Sequence, residues 1–96
     1  MSYAVFIDKD ALDFVDALPD KSGRIVKENL KKLGENPYPG RGKGDKEKLA
    51  HRGESLYRLH IGRTFTAFYR IFEDEKVVKV LKVMTIESAH KKYGRL

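Results

Sequence analysis

Arg58 and His60 stand two residues apart in LYRLHI (56–61), a run whose alternating apolar and polar residues read as a β-strand. Period two places Tyr57, Leu59 and Ile61 on one face and Arg58 and His60 on the other. The two polar side chains are then about 6.5–7 Å apart along the strand. A guanidinium beside an imidazole suits phosphoryl chemistry, because the cation neutralises phosphate oxygens while the imidazole moves a proton near neutral pH. Two side chains that merely face water produce the same alternation. A second concentration lies in the closing AHKKYGRL, where His90, Lys91, Lys92 and Arg95 surround Tyr93. Cations around an aromatic match base stacking with backbone neutralisation, and equally a solvated basic terminus. Histidines at 51, 60 and 90, with no cysteine and no H-x-x-x-H spacing, favour no metal site and no cofactor.

The elements that must position these residues follow from local pattern. Tyr3–Ile7 is short, β-branched and aromatic, and reads as a central or near-central strand. From Asp8 the period becomes helical: Ala11, Leu12, Val15 and Leu18 share a face, Asp8 or Asp10 serves as N-cap, and Pro19 ends the turn. A second helix opens at Asp20 as N-cap. Its stripe is Val26, Leu30 and Leu33 widened by Ile25, with Gly34 at the C′ position. The two helices form an antiparallel hairpin against a sheet.

Residues 35–48, ENPYPGRGKGDKEK, read as a loop. Its spaced glycines lack the G-x-x-x-x-G-K-[ST] order and the preceding strand of a phosphate loop. A short strand at Lys48–Ala50, a turn at 51–54, and strands Leu56–Ile61, Thr64–Phe72 and Val77–Met84 follow, joined by turns at Gly62-Arg63 and 73–75. Such short connections make antiparallel hairpins. Strand Thr64–Phe72 is apolar on both parities and therefore central, with Thr66, Phe68 and Arg70 on one side. Lys79 and Lys82 fall on opposite parities of the last strand. The tail forms one helical turn or an arm. The expected fold is α+β, β-α-α-β-β-β-β, a small antiparallel-rich twisted sheet packed on an N-terminal helical hairpin.

Ninety-six residues, 41% of them hydrophobic, imply one domain spanning 1–96. The opening MSYAVFIDKD meets an acid by position 8, and no apolar run approaches a spanning helix, so a soluble cytoplasmic protein is expected. Net charge is +6, unevenly spread: residues 1–20 carry one Lys and five Asp, net −4, leaving +10 on residues 21–96. A basic body of this kind attracts polyanions by counterion release, although a solvated surface has the same composition.

With these residues in view, the chain resembles the RelE/ParE superfamily of toxins from type II toxin–antitoxin systems. The resemblance covers essentially the full length. It rests on the strand and helical hairpin, Lys48-Leu49, LYRLHIG (56–62), YRIFEDEKVVKVLKV (69–83) and HKKYGRL (90–96). The basic face and the closing tyrosine favour the RelE-like branch, an mRNA interferase. The resemblance implies metal-independent endoribonuclease cleavage of mRNA in the ribosomal A site, by attack of a ribose 2′-OH on the adjacent phosphate, and so translation inhibition. Arg58 would stabilise the phosphorane, His60 would carry a proton or a second positive charge, and Tyr93 would stack on a base or assist 2′-OH deprotonation. Lys48, Arg63, Arg70, His90, Lys91, Lys92 and Arg95 would hold the RNA. The sequence departs from the family at Thr66 and Glu87, where family enzymes place arginines. That leaves a catalytically degenerate toxin, a ParE-like gyrase-directed toxin or a non-catalytic RNA-binding module as the alternative. The implied partner is a cognate antitoxin whose acidic amphipathic helix covers apolar surface.

Overall fold

The computed structural model describes residues 2–40, 45–51 and 54–93. Its elements are β1 (Ala4–Ile7), α1 (Lys9–Asp16), α2 (Asp20–Lys32), β2 (Lys46–His51), β3 (Glu54–Ile61), β4 (Phe65–Phe72), β5 (Val77–Thr85) and α3 (Ile86–Tyr93). The strands make one sheet ordered β1-β5-β4-β3-β2. β1 runs parallel to β5, and the remaining pairs are antiparallel. The α+β expectation holds, with β4 in the middle of the sheet. Among the described residues no helix is long and apolar enough to cross a membrane.

β1 is an edge strand rather than a central one. Val5 and Ile7 pack toward the helices while Phe6 stays 57% exposed, so its apolar run reflects one buried face and not two. β2 forms the other edge of the sheet, beside β3.

The helical hairpin covers one face of the sheet. Ala11, Val15, Val26, Leu30 and Leu33 meet Tyr57, Leu59, Ile61, Ala67, Tyr69, Val78, Val80 and Val83. Ile25 does not widen this stripe; it is 43% exposed. Leu30 is nearly inaccessible, and truncating such a side chain costs about 2–5 kcal/mol. Asp8 precedes α1 without a side-chain cap, its carboxylate lying 3.5 Å from Lys79 Nζ instead. Pro19, not Asp20, holds the N-cap position of α2; Asp20 is its first helical residue, where its charge suits the helix dipole. Gly34 follows the Leu33 cap, yet among the described residues only Gly62 and Lys76 have positive φ. Gly34 is needed for proximity: Tyr3 N–H donates to its carbonyl at 2.6 Å, and a Cβ there would sit 3.0 Å from the Tyr3 oxygen.

The opposite face carries α3, two turns long, where one turn or an arm was expected. Ala89 packs with Leu56 and Phe68, flanked by Leu49, Leu81 and Met84. Thr85 Oγ1 accepts from Ser88 N–H at 3.1 Å and caps the helix. Register also changes here. Phe68 pairs with Lys82 and Tyr69 with Val80, so Leu81 is an extra residue, a β-bulge. Because Arg70 pairs with Lys79 and Phe68 with Lys82, both lysines share one face. The opposite-parity expectation fails for that reason.

Candidate functional site: a cationic sheet face under α3

Directly opposed residues of an antiparallel pair point to the same side. Arg58 opposes Phe68, and His60 opposes Thr66, so β3 and β4 present Arg58, His60, Thr66, Phe68 and Arg70 together. β5 adds Lys79, Lys82 and Met84. This is the α3 face. The parity that pairs Arg58 with His60 thus extends to Arg70, which is half-buried opposite Lys79.

Arg58 does not stand on an open floor. Its side chain is 8% exposed, and one terminal nitrogen donates to Glu47 Oε2 in an ion pair with that carboxylate. Glu47 lies directly across the ladder on β2, and its own side chain is 48% exposed. Arg58 Nε is buried and finds no hydrogen-bond acceptor among the described residues. A guanidinium carries five donors, so a single end-on partner leaves it under-used. His60 is half-buried beside it, its backbone N–H donating to the Asp45 carbonyl at 2.8 Å.

Sequence reasoning missed Glu47, although the signal was present. Counting outward from the His51–Glu54 pair at the predicted turn puts Glu47 opposite Arg58 and Lys48 opposite Tyr57. Lys48 therefore occupies the helix-side parity, away from Arg58 and His60. Lys82 was missed because the bulge that turns it onto this face leaves no mark in an alternating pattern. Thr66 shares the face but is 1% exposed, its hydroxyl donating to the Leu59 carbonyl at 3.3 Å. It fills space beneath α3 and does not border an open groove.

α3 divides the remaining candidates. Near its start, Arg63 and His90 line a cleft with Thr64, Thr85, Ile86 and Glu87. Glu87 pairs with Lys91 at 3.5 Å, both well exposed. At the other end, the neighbouring Lys82 holds the Lys92 ammonium below its ordinary pKa. Tyr93 is the last residue of α3, and its side chain lies outside the described residues. Arg95 lies outside the described residues altogether.

A different polar cluster sits beyond the site. Tyr3 and Tyr38 hydroxyls both donate to Glu73 Oε1, at 2.7 and 2.6 Å, and Lys76 donates to Oε2. Hydrogen bonds from Lys76, Tyr38 and Tyr3 bring the Glu73 carboxyl down to about 2. Tyr38 packs edge-on to Tyr57, which stacks on Tyr69, and the Tyr69 hydroxyl donates to the Pro37 carbonyl at 2.6 Å. This cluster fastens the connection leaving α2 to the sheet.

The architecture has solved counterparts. A chain of the archaeal RelE–RelB complex from Pyrococcus horikoshii OT3 is 32% identical, with TM-score 0.72, covering 88% of this chain and 96% of that one. A chain of the toxin–antitoxin complex RelBE2 from Mycobacterium tuberculosis is 21% identical, with TM-score 0.70 and coverage of 88% and 99%. The YoeB dimer from Staphylococcus aureus is 17% identical, with TM-score 0.66 and coverage of 88% and 97%. No curated protein sequence matches the chain. The fold is that of RelE-like toxins. The model of the family described as the ParE toxin of type II toxin–antitoxin system, parDE, matches residues 5–87, and the chain belongs to that family, within the RelE/ParE superfamily.

Proposed function

We propose that the α3 face of the sheet cleaves mRNA on the ribosome, by metal-independent attack of a ribose 2′-OH on the neighbouring phosphate. The observation that supports this reading is the buried Arg58 guanidinium with an unfilled donor, on the same face as His60, Arg70 and Lys82. Arg58 binds the equatorial oxygens as the phosphorane gains charge, the effect on which phosphoryl transfer most depends. His60 carries a proton between the 2′-OH and the leaving 5′-oxygen. Tyr93 stacks on a base or assists at the 2′-OH. Arg63, Arg70, His90, Lys91, Lys92 and Arg95, with Lys82 added, hold the backbone; Lys48 drops out of this set by its parity. The 96 residues act as one toxin domain in the cytoplasm.

An antitoxin restrains it. The apolar groove of Val5, Ile7, Leu12 and Leu30, rimmed by Lys27 and Lys31, suits an amphipathic helix with acidic flanks. Four of the similar structures are toxin–antitoxin complexes.

Incubation with translating ribosomes is expected to leave mRNA fragments ending in 2′,3′-cyclic phosphate, with none from the Arg58→Ala, His60→Ala double variant. Intact transcripts with the wild-type protein contradict the proposal. The family match to ParE, with Thr66 sequestered and Glu87 on α3, favours a second reading as a gyrase-directed toxin. Inhibited supercoiling with trapped DNA breaks, and unbroken mRNA, is its signature.

A further inference from the structure

The Arg58–Glu47 pair is asymmetric in a way that a structural ion pair need not be. Arg58 is 92% withdrawn from solvent while Glu47 remains half in water, with side-chain exposures of 8% and 48%. The contact is end-on through one terminal nitrogen, and Arg58 Nε stays buried without an acceptor among the described residues. From its directly opposed position on β2, Glu47 engages one terminal nitrogen of the guanidinium. A tetrahedral phosphate offers two oxygens to the terminal nitrogen and Nε together, the fork geometry in which Arg binds phosphate best.

We propose that Glu47 occupies the phosphate seat of Arg58 in the free protein and is exchanged for a phosphodiester when RNA binds. This rests on the reading of this face as an RNA site and assigns its entry step to a residue outside the catalytic set. Three features make the exchange favourable. The incoming phosphate satisfies the Nε donor that Glu47 leaves empty. Glu47 leaves toward water, where a half-exposed carboxylate rehydrates readily. Arg58 is never left as an uncompensated buried charge, which would weaken the free fold.

Glu47 is thus a positioning residue. It keeps the guanidinium aimed across the sheet and sets the threshold an anion must exceed. Monovalent anions that cannot fork onto Arg58 do not displace it, so the seat discriminates by geometry as well as by charge. RNA affinity in the wild-type protein is lowered by the exchange, and removing the carboxylate unmasks it.

Two probes test the exchange on the full chain. The first is inorganic phosphate, read as a rise in melting temperature. The second is a fluorescent oligoribonucleotide blocked by a 2′-deoxy sugar at the attacking position, read by anisotropy. Glu47→Gln should melt below wild type without phosphate, recover more strongly than wild type as phosphate is added, and bind the blocked RNA roughly tenfold tighter. In an Arg58→Lys background the same change should have little effect on RNA affinity, because the forked seat is gone. Unchanged or weaker phosphate and RNA binding by Glu47→Gln overturns the exchange. If phosphate favours Glu47→Gln as described while RNA binds neither protein, Arg58 keeps its anion seat guarded by Glu47, but the exchange for RNA and the ribonuclease reading both fall.

Discussion

Glu73 and Arg58 each anchor a charged cluster, one at the edge of the α2–β2 connection and the other beneath α3. The Glu73 carboxylate receives donors from Tyr3, Tyr38 and Lys76, and both its oxygens are engaged. Arg58 is far more buried yet has, among the described residues, one partner and an unfilled donor. A buried polar group without a partner is disfavoured, so chains tend to satisfy such groups unless a ligand does it for them. The satisfied cluster has the properties of a fastening. The unsatisfied one has the properties of a seat. Lys76 reinforces the contrast: its φ of 55° is unusual for a residue with a Cβ, and the contacts to Glu73 and the Tyr3 ring hold it there.

The largest expected effect separates the two regions by activity. Arg58→Ala should lower the cleavage rate by roughly 10²–10³, as loss of one transition-state donor does, with the fold followed by circular dichroism. Tyr38→Phe should leave cleavage per folded molecule unchanged. Equal losses in both variants would erase the distinction. Next in size is Tyr69→Phe, which leaves the buried Pro37 carbonyl without its donor; denaturant unfolding should show a loss of about 1–3 kcal/mol, with activity intact below the transition.

Acid titration sharpens the comparison further. The folded pKa of Glu73, about 2, lies below the ordinary 4.5 of a free glutamate, so the folded state favours the ionised form. Its contribution to stability is present above about 4.5 and is lost as pH falls through the window toward 2. Glu73→Gln should flatten the denaturation midpoint across that window, and an unchanged profile would count against the fastening. The smallest effect distinguishes the sheet faces: Lys82→Ala should reduce the log–log salt slope of RNA binding by roughly 0.7–1, while Lys48→Ala should leave it unchanged.

Much of this is legible in the sequence. Period two in LYRLHI put Arg58 and His60 together, and the double-sided apolar run of β4 marked it as central. The lost information has identifiable causes. One extra residue at Leu81 inverts the parity of everything before it, so Lys79 joined Lys82 on the face that alternation denied it. The β1 sequence specifies an extended segment but not its neighbours, and parallel pairing with β5 left Phe6 outward at the sheet edge. Glu47 depended on cross-strand register, which a turn position can supply but strand propensity cannot.

The site's location is open to direct measurement in a chain of 11.0 kDa. Titrating blocked oligoribonucleotide into the ¹⁵N-labelled protein should move the amides of Arg58, His60, Lys82 and the second turn of α3 most. Shifts centred on Lys27, Lys31 and the α1–α2 hairpin, with the α3 face still, would contradict it.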